Sequence, residues 1–341
     1  MRDPVPLPDP APEPIPPPRT ARPDVVLAVD IGGTKAAVRA RRTGAGVVGG
    51  SVDSGVVRVE WAPDAAPDDD LGQLAAAADR ALRTVGAARP RTTVVALPAT
   101  LDAHGRISRW PGRPSWRGRP LPAQLAHHWG DSLAVHDDAL LAGYAEALAR
   151  PRTEGLLYLG LGTGVGGAWL PPRNAGAPVP RLDELMPCEA GHLVVRPDDG
   201  RPCDCGRRGC LQAYASGPAL HRATTADGRT AALAAAADAC ALAVAGIGEL
   251  LPFAAVVLGG GLGAAPVGLA AALTARLRHR IRHGSTLPEV TPAVHGAGAS
   301  LQGALLLAES RAATGRDRHR PTAGPVRREA GPRPTEGDPI P

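Results

Sequence analysis

Three cysteines, Cys203, Cys205 and Cys210, fall within one short loop, and His192 precedes them. One imidazole and three thiolates are the four ligands that a closed tetrahedral zinc site takes, and Gly206 and Gly209 let the loop fold tightly around an ion. A C-x-C pair is poorly spaced to bond itself. Five cysteines, an odd number, also suit a metal site better than a disulfide framework. His192, Cys203, Cys205 and Cys210 are therefore the expected ligands of one structural Zn²⁺. Cys188 and Cys240 match no ligand position and read as buried thiols.

A second chemistry is suggested by glycine turns. In Asp30-Ile31-Gly32-Gly33-Thr34-Lys35 the two glycines let backbone approach a phosphate and Thr34 adds a hydroxyl donor. Asp30 at the strand end can hold Mg²⁺ through water. Lys35 is the only lysine in a chain that otherwise uses arginine for its long cations, so a compact ammonium is selected at this turn. Such a turn alone is more often an ordinary hairpin. It is joined by Leu161-Gly162-Thr163-Gly164-Val165-Gly166-Gly167 and by Gly259-Gly260-Gly261, where adenine or ribose could lie against bare backbone.

The elements that must position these residues are legible in outline. Asp24–Asp30 reads as a buried strand and Ala36–Ala40 as its hairpin partner. Leu71, Leu74, Ala78, Leu82 and Val85 recur at helical spacing behind the acidic start Asp68–Asp70, and a strand follows at Thr92–Leu97. The pattern repeats: a helix at Ala139–Arg150, then strands at Leu156–Leu161 and Gly167–Leu170 around the second turn. Helical stretches near 217–223 and 231–250, the strand Ala254–Leu258 and a helix at Leu301–Ala313 complete it. Two glycine hairpins, each opening an α/β half, predict a duplicated fold with a cleft between the halves.

At 341 residues the chain is long enough for two cores. Those cores must pack small aliphatic side chains, because Phe253 is the only phenylalanine. The net charge of +5 is carried by scattered arginines interrupted by Asp and Glu, which is no nucleic-acid footprint. No signal peptide is read, and the apolar stretch Ala231–Leu273 is broken by Asp238, Glu249, Pro252 and glycines, so neither nucleic acid nor membrane is expected as a partner. A cytoplasmic location is expected. Residues 1–23 and 314–341 read as disordered tails rich in proline, arginine and glycine.

The three strand-terminal glycine turns resemble those of the sugar kinase, heat-shock ATPase and actin superfold. Glu189-Ala190-Gly191-His192 followed by Cys203-Asp204-Cys205-Gly206-Arg207-Arg208-Gly209-Cys210 resembles the signature of the ROK family of bacterial sugar kinases and repressors, over about Val25 to Ala313. The resemblance implies an α/β fold of duplicated actin-like ATPase (ribonuclease H-like) domains with an inter-domain cleft. The small domain is 24–136, closed by the helix 299–313, and the large domain with the zinc loop is 137–298. It implies ATP and Mg²⁺ held by Asp30, Gly32, Gly33, Thr34, Lys35, Gly162, Thr163, Gly164, Gly260 and Gly261, and a homodimer. The family usually reads Asn-Asp-Ala-Asn where this chain has Asp137-Asp138-Ala139-Leu140, with a Glu eight residues later matched by Glu146. Asp138 is then the general base that takes the proton of the acceptor hydroxyl, and its other reading is a simple helix cap.

Departures gather on the acceptor side. The expected Asn is Asp137, the second Asn is Leu140, and the Glu after the last zinc cysteine is Gln212. A proline-glycine turn near the sugar reads Pro98-Ala99, and a segment resembling Asn-Leu-Pro-Gly-Trp-Arg-Gly reads Gly112-Arg113-Pro114-Ser115-Trp116-Arg117-Gly118. Asp137, Glu189, His192, Gln212 and Ala99 are the expected acceptor-binding positions. The expected reaction is ATP-dependent phosphorylation of a hydroxyl, a primary hydroxymethyl, on a sugar or a sugar-like cyclitol, with glucose not preferred. The alternatives are glucose 6-phosphorylation and a non-catalytic sugar sensor or transcriptional regulator.

Overall fold

The computed structural model describes residues 24–44, 50–62, 64–110, 112–130, 132–150, 154–176, 179–222, 225–263 and 268–314. The segments expected as tails, 1–23 and 315–341, lie outside the described residues.

The first sheet contains β1 (Asp24–Ile31), β2 (Lys35–Thr43), β3 (Ser51–Asp53), β4 (Val57–Glu60), β5 (Thr92–Ala96) and, after the small hairpin of β6 (Thr100–Leu101) and β7 (Ile107–Arg109), β8 (Leu133–His136). Its order is β3-β2-β1-β5-β8, with β4 also on β2. The second sheet contains β9 (Leu156–Leu161), β10 (Val165–Leu170), β11 (Met186–Cys188), β12 (Ala255–Gly259) and β13 (Glu289–Pro292), in the order β11-β10-β9-β12-β13. In each sheet a hairpin, β1-β2 or β9-β10, is followed by two strands parallel to its first member. The expected duplication is thus present strand by strand.

The helices are α1 (Pro67–Thr84), α2 (Leu121–Trp129), α3 (Asp138–Ala149), α4 (Gln212–Ala215), α5 (Gly217–His221), α6 (Ala226–Gly248), α7 (Gly260–Gly263), α8 (Leu269–Leu277) and α9 (Ala299–Thr314). Proline in the first turn of α1 and the acids Asp68, Asp69 and Asp70 behind it suit a helix start, because the missing N–H is spare there and the dipole favours anions. Thr225 caps α6 by accepting from Gly228 N at 3.0 Å. The third glycine segment differs from expectation: Gly259 closes β12, and Gly260 turns into α7.

Both faces of each central strand are covered, which explains their unbroken apolar sequences. Val25, Leu27, Val29 and Ile31 of β1 face a core with α1 and α2. Leu157, Leu159 and Leu161 of β9 face one with α6 and α8. The opposite faces, Val26 and Ala28 on β1 and Leu156 and Tyr158 on β9, meet in a third core with α3 and α9. The layers therefore run helices, sheet, helix pair, sheet, helices. Gly303 of α9 lies against the Leu141 backbone of α3, where an added Cβ would come within 2.0 Å of the Leu141 carbonyl oxygen.

Within α6, Asp227–Gly248 is long and apolar enough by composition to cross a membrane, contrary to the broken stretch read from sequence. Its Ala236, Ala237, Cys240, Ala241 and Val244 are buried in the second core, and a core helix passes the same test.

Candidate active site and metal cluster

Asp30, Ala96 and His136 stand in register across the parallel strands β1, β5 and β8. The chain leaves that same edge at the first glycine turn, at Pro98-Ala99 and at Asp137-Asp138. In open α/β sheets the carboxyl ends of parallel strands are where ligands bind. The second sheet does likewise: Gly160 of β9 pairs with Gly259 of β12, so Gly162–Gly164 and Gly260–Gly261 emerge side by side.

The glycines have steric reasons. A Cβ on Gly166 would lie 2.7 Å from the Ala139 Cβ, so β10 can approach the first turn of α3 only without a side chain there. Gly260 has φ +76°, and a Cβ on it would lie 2.4 Å from the Leu161 carbonyl oxygen. Gly162 N donates to Gly164 O at 2.9 Å, and Gly217 N at the start of α5 donates to Gly162 O at 2.7 Å. A Cβ on Gly191 would come within 2.0 Å of Val165 O, so the Glu189–His192 segment rests directly on β10.

These contacts bring four carboxylates, Asp30, Asp137, Asp138 and Glu189, into one electrostatic neighbourhood. Burial pushes Asp30 up to about 6, opposed by the Lys35 ammonium. Burial, and then the charge of Asp30, push Asp138 up to about 6, with Glu189 adding to the shift and the Ala139 N–H opposing it. Asp137 keeps some exposure, yet desolvation by the surrounding protein and the charges of Asp138 and Glu189 push it up to about 7. The helix-cap reading belongs to Asp137, whose Oδ1 accepts from Leu140 N at 2.8 Å. Asp138 occupies the first helical position and accepts from Ala139 N at 2.8 Å.

Gln212 lies beside the second glycine turn, where its Oε1 accepts from Val165 N at 3.1 Å. Ala99 packs against the first core at the edge of the cleft. Glu146 is fully buried, accepts from the N–H groups of Val294 and His295 at 3.0 and 2.9 Å and pairs with Arg150, so it ties α3 to the segment after β13.

The ligand atoms of His192, Cys203, Cys205 and Cys210 lie within 4.8 Å of one another. Cys205 Sγ and Cys210 Sγ are 3.6 Å apart, and Cys203 Sγ is 3.7 Å from His192 Nδ1. Sulfurs at about 2.3 Å from one tetrahedral ion are about 3.8 Å apart, whereas a disulfide needs about 2.05 Å. The spacing fits a metal cluster. Burial and the neighbouring sulfurs push the Cys210 thiol up to about 12, a trend that a bound divalent cation reverses.

Two functional candidates escaped the sequence reading. Trp61 Nε1 donates to Gly32 O at 2.8 Å, and Arg113 Nε donates to Gly33 O at 2.9 Å. The signal for Arg113 was its place in the 112–118 segment, where the resembled pattern has leucine.

Comparison with known proteins places the chain in context. The model of the ROK family matches residues 26–311. The kanosamine kinase of Amycolatopsis mediterranei (strain S699) is 36% identical over 303 residues, covering 83% of this chain and 95% of that protein. Among solved structures, the ROK hexokinase from Thermus thermophilus superposes with a TM-score of 0.65 at 27% identity, covering 85% of this chain and 99% of that one. A ROK family glucokinase from Streptomyces griseus, solved with glucose and AMPPNP, gives a TM-score of 0.64 at 22% identity, over 84% and 99%. The fold is the actin-like ATPase fold of these kinases.

Proposed function

The chain belongs to the ROK family, and on that premise we propose that it is an ATP-dependent sugar kinase in which Asp138 is the general base. The observation that carries this reading is the placement of Asp138: it starts α3 at the carboxyl edge of the first sheet, within electrostatic reach of Asp30 and Glu189 and beside the second glycine hairpin. In the reaction a hydroxyl oxygen of the sugar bonds to the γ-phosphorus of ATP as the bond from that phosphorus to the β-bridging oxygen breaks. The hydroxyl proton passes to Asp138 and ADP leaves. A carboxylate held near pKa 6 is ionised at neutral pH yet basic enough to take that proton.

The turns at 32–35 and 162–164 are suited to the phosphates, and Gly260-Gly261 to the nucleoside. Asp30, raised by burial, fits a carboxylate whose charge a hydrated Mg²⁺ offsets; that ion, when bound, neutralises charge on the phosphates. The ligand set and spacing of the metal cluster fit Zn²⁺, which would brace the loop behind Glu189 and His192, the residues assigned to orient acceptor hydroxyls. ATP and reduced thiols are both consistent with the cytoplasm.

The acceptor we favour is an amino sugar. Asp137, when ionised, carries a charge that the amide usual there lacks and only accepts hydrogen bonds, and a sugar ammonium beside it would favour that ionised form and match the change in charge. The relative named kanosamine kinase acts, by that name, on an amino sugar. A neutral cyclitol is the second reading, motivated by Leu140. That side chain, however, is half-buried against the third core, so only its remaining part is free to face a ring.

The test is ADP release across kanosamine, glucose, mannose, N-acetylated hexosamines and valiolone-type cyclitols. Kanosamine is expected to give the highest kcat/KM, and glucose to lie lower by about tenfold or more. Glucose in first place by that margin would overturn the acceptor assignment, and ADP release with none of them would overturn the kinase.

A further inference from the structure

Three consecutive peptide planes of the first glycine turn are gripped from outside it. Gly32 O accepts from Trp61 Nε1 at 2.8 Å, Gly33 O from Arg113 Nε at 2.9 Å, and Thr34 O from Trp61 N at 3.0 Å. No peptide bond among the described residues is cis. In a trans peptide the carbonyl and the next residue's N–H point in opposite directions across one plane. Fixing the carbonyls of Gly32, Gly33 and Thr34 therefore fixes the directions of the N–H groups of Gly33, Thr34 and Lys35. Each of these three partially negative oxygens is held pointing away from the N–H of its own peptide plane.

The grip is itself anchored. Arg113 Nη1 donates to Ala62 O at 3.1 Å and lies 3.3 Å from Asp70 Oδ2, and the guanidinium stands 5.5 Å from the centroid of the Trp61 ring. Trp116 Nε1 donates to the same Asp70 oxygen at 3.3 Å. Arg113 and Asp70 are both almost wholly buried. An ion pair removed from water carries a desolvation cost that packed apolar side chains would avoid, so it is weak evidence for stability as such. Direct backbone contact adds to the grip, since a Cβ on Gly33 would lie 3.2 Å from Gly112 Cα.

We propose that Trp61 and Arg113 are positioning residues for the nucleotide: they orient the peptide dipoles of Gly32–Lys35 so that its N–H groups meet the phosphates. The inference rests on the reading of this turn as a phosphate cradle. Preorganised dipoles stabilise a phosphate without reorganising as it binds, whereas a turn free to rotate its peptides would present carbonyl oxygen to an anion.

Two variants test it. Trp61→Phe keeps an aromatic side chain in the core and the backbone bond from residue 61 N to Thr34 O, and it removes the indole N–H donated to Gly32 O. Arg113→Met combined with Asp70→Asn removes the guanidinium without stranding a buried carboxylate and keeps an acceptor for Trp116. The measurements are MgADP affinity by calorimetry and the amide exchange rate of Gly33 and Thr34. MgADP binding is expected to weaken by about tenfold in each variant, the size of a lost charge-assisted or buried hydrogen bond, with faster exchange at those amides. MgADP affinity within twofold of wild type in both variants overturns the positioning role and leaves the kinase reading standing. Wild-type protein that does not bind MgADP overturns both.

Discussion

Asp137 and Asp138 are adjacent in the chain but differ at the head of α3: Asp137 caps it by accepting from Leu140 N at 2.8 Å, while Asp138 accepts from Ala139 N at 2.8 Å and feels the charges of Asp30 and Glu189. The cap thus belongs to Asp137, and the proposed proton transfer falls to Asp138. It also places two anions so close that each resists the ionisation of its neighbour, which makes their titration a property of the pair.

Asp138→Asn is expected to lower kcat by about 10² to 10⁴-fold, the usual worth of a general base, with MgADP affinity nearly unchanged. Single-turnover kinetics beside calorimetry make the comparison. Activity above about a tenth of wild type would move the base elsewhere, with Asp137 the first candidate.

Asp137→Ala removes the cap and is expected to cost about 1 kcal/mol of stability in urea melts. Asp137→Asn keeps the cap, since asparagine serves that position as well, but removes the charge. Its stability is expected to match wild type, while the preference for kanosamine over glucose falls by about tenfold. An unchanged preference would separate Asp137 from acceptor choice.

The acid limb of the pH profile is displaced upward. A base works only when deprotonated, and burial and neighbouring charge hold Asp138 near 6, so kcat/KM is expected to fall as pH drops through about 6. An unperturbed aspartate would put that limb near 4. For stability the sign is opposite. A native pKa raised above the unfolded value contributes stability that is complete below about 4 and is lost as pH rises through about 6 to 7. Thermal melts without nucleotide at pH 5 and 8 check it.

Purified protein is expected to hold one Zn²⁺ per chain, and Cys205→Ser or prolonged chelation is expected to lower the melting temperature. Acceptor affinity is expected to fall more than nucleotide affinity, because the loop lies behind Glu189 and His192. Metal analysis that finds no zinc under reducing conditions would refute the assignment.

The strands and helices that carry strong periodicity, such as β1, α1 and β12, were legible because burial on both faces or one stripe leaves a plain apolar pattern. The metal cluster was legible because cysteine and histidine have few other reasons to crowd one loop. Less visible were β8, four residues between two helices, and α8, whose leucines and alanines offer almost no polar face to mark a period. The Trp61–Arg113 grip joins residues distant in sequence, and nothing local in either segment encodes the bond. The bond from Val165 N to Gln212 Oε1 is of the same kind, since it joins segments far apart along the chain.

The last described helix, α9, covers Val26 and Ala28 on the first long strand and meets α3 at Gly303. A contact between segments far apart in sequence waits, on a ribosome that releases the N-terminus first, for the later segment to emerge. Until residues 299–314 emerge, β1 lacks the α9 side chains that cover Val26 and Ala28. The carboxyl edge of the first sheet thus acquires this backing only once residues 299–314 have been made, and truncation before α9 is expected to give an aggregation-prone polypeptide rather than a partly active one.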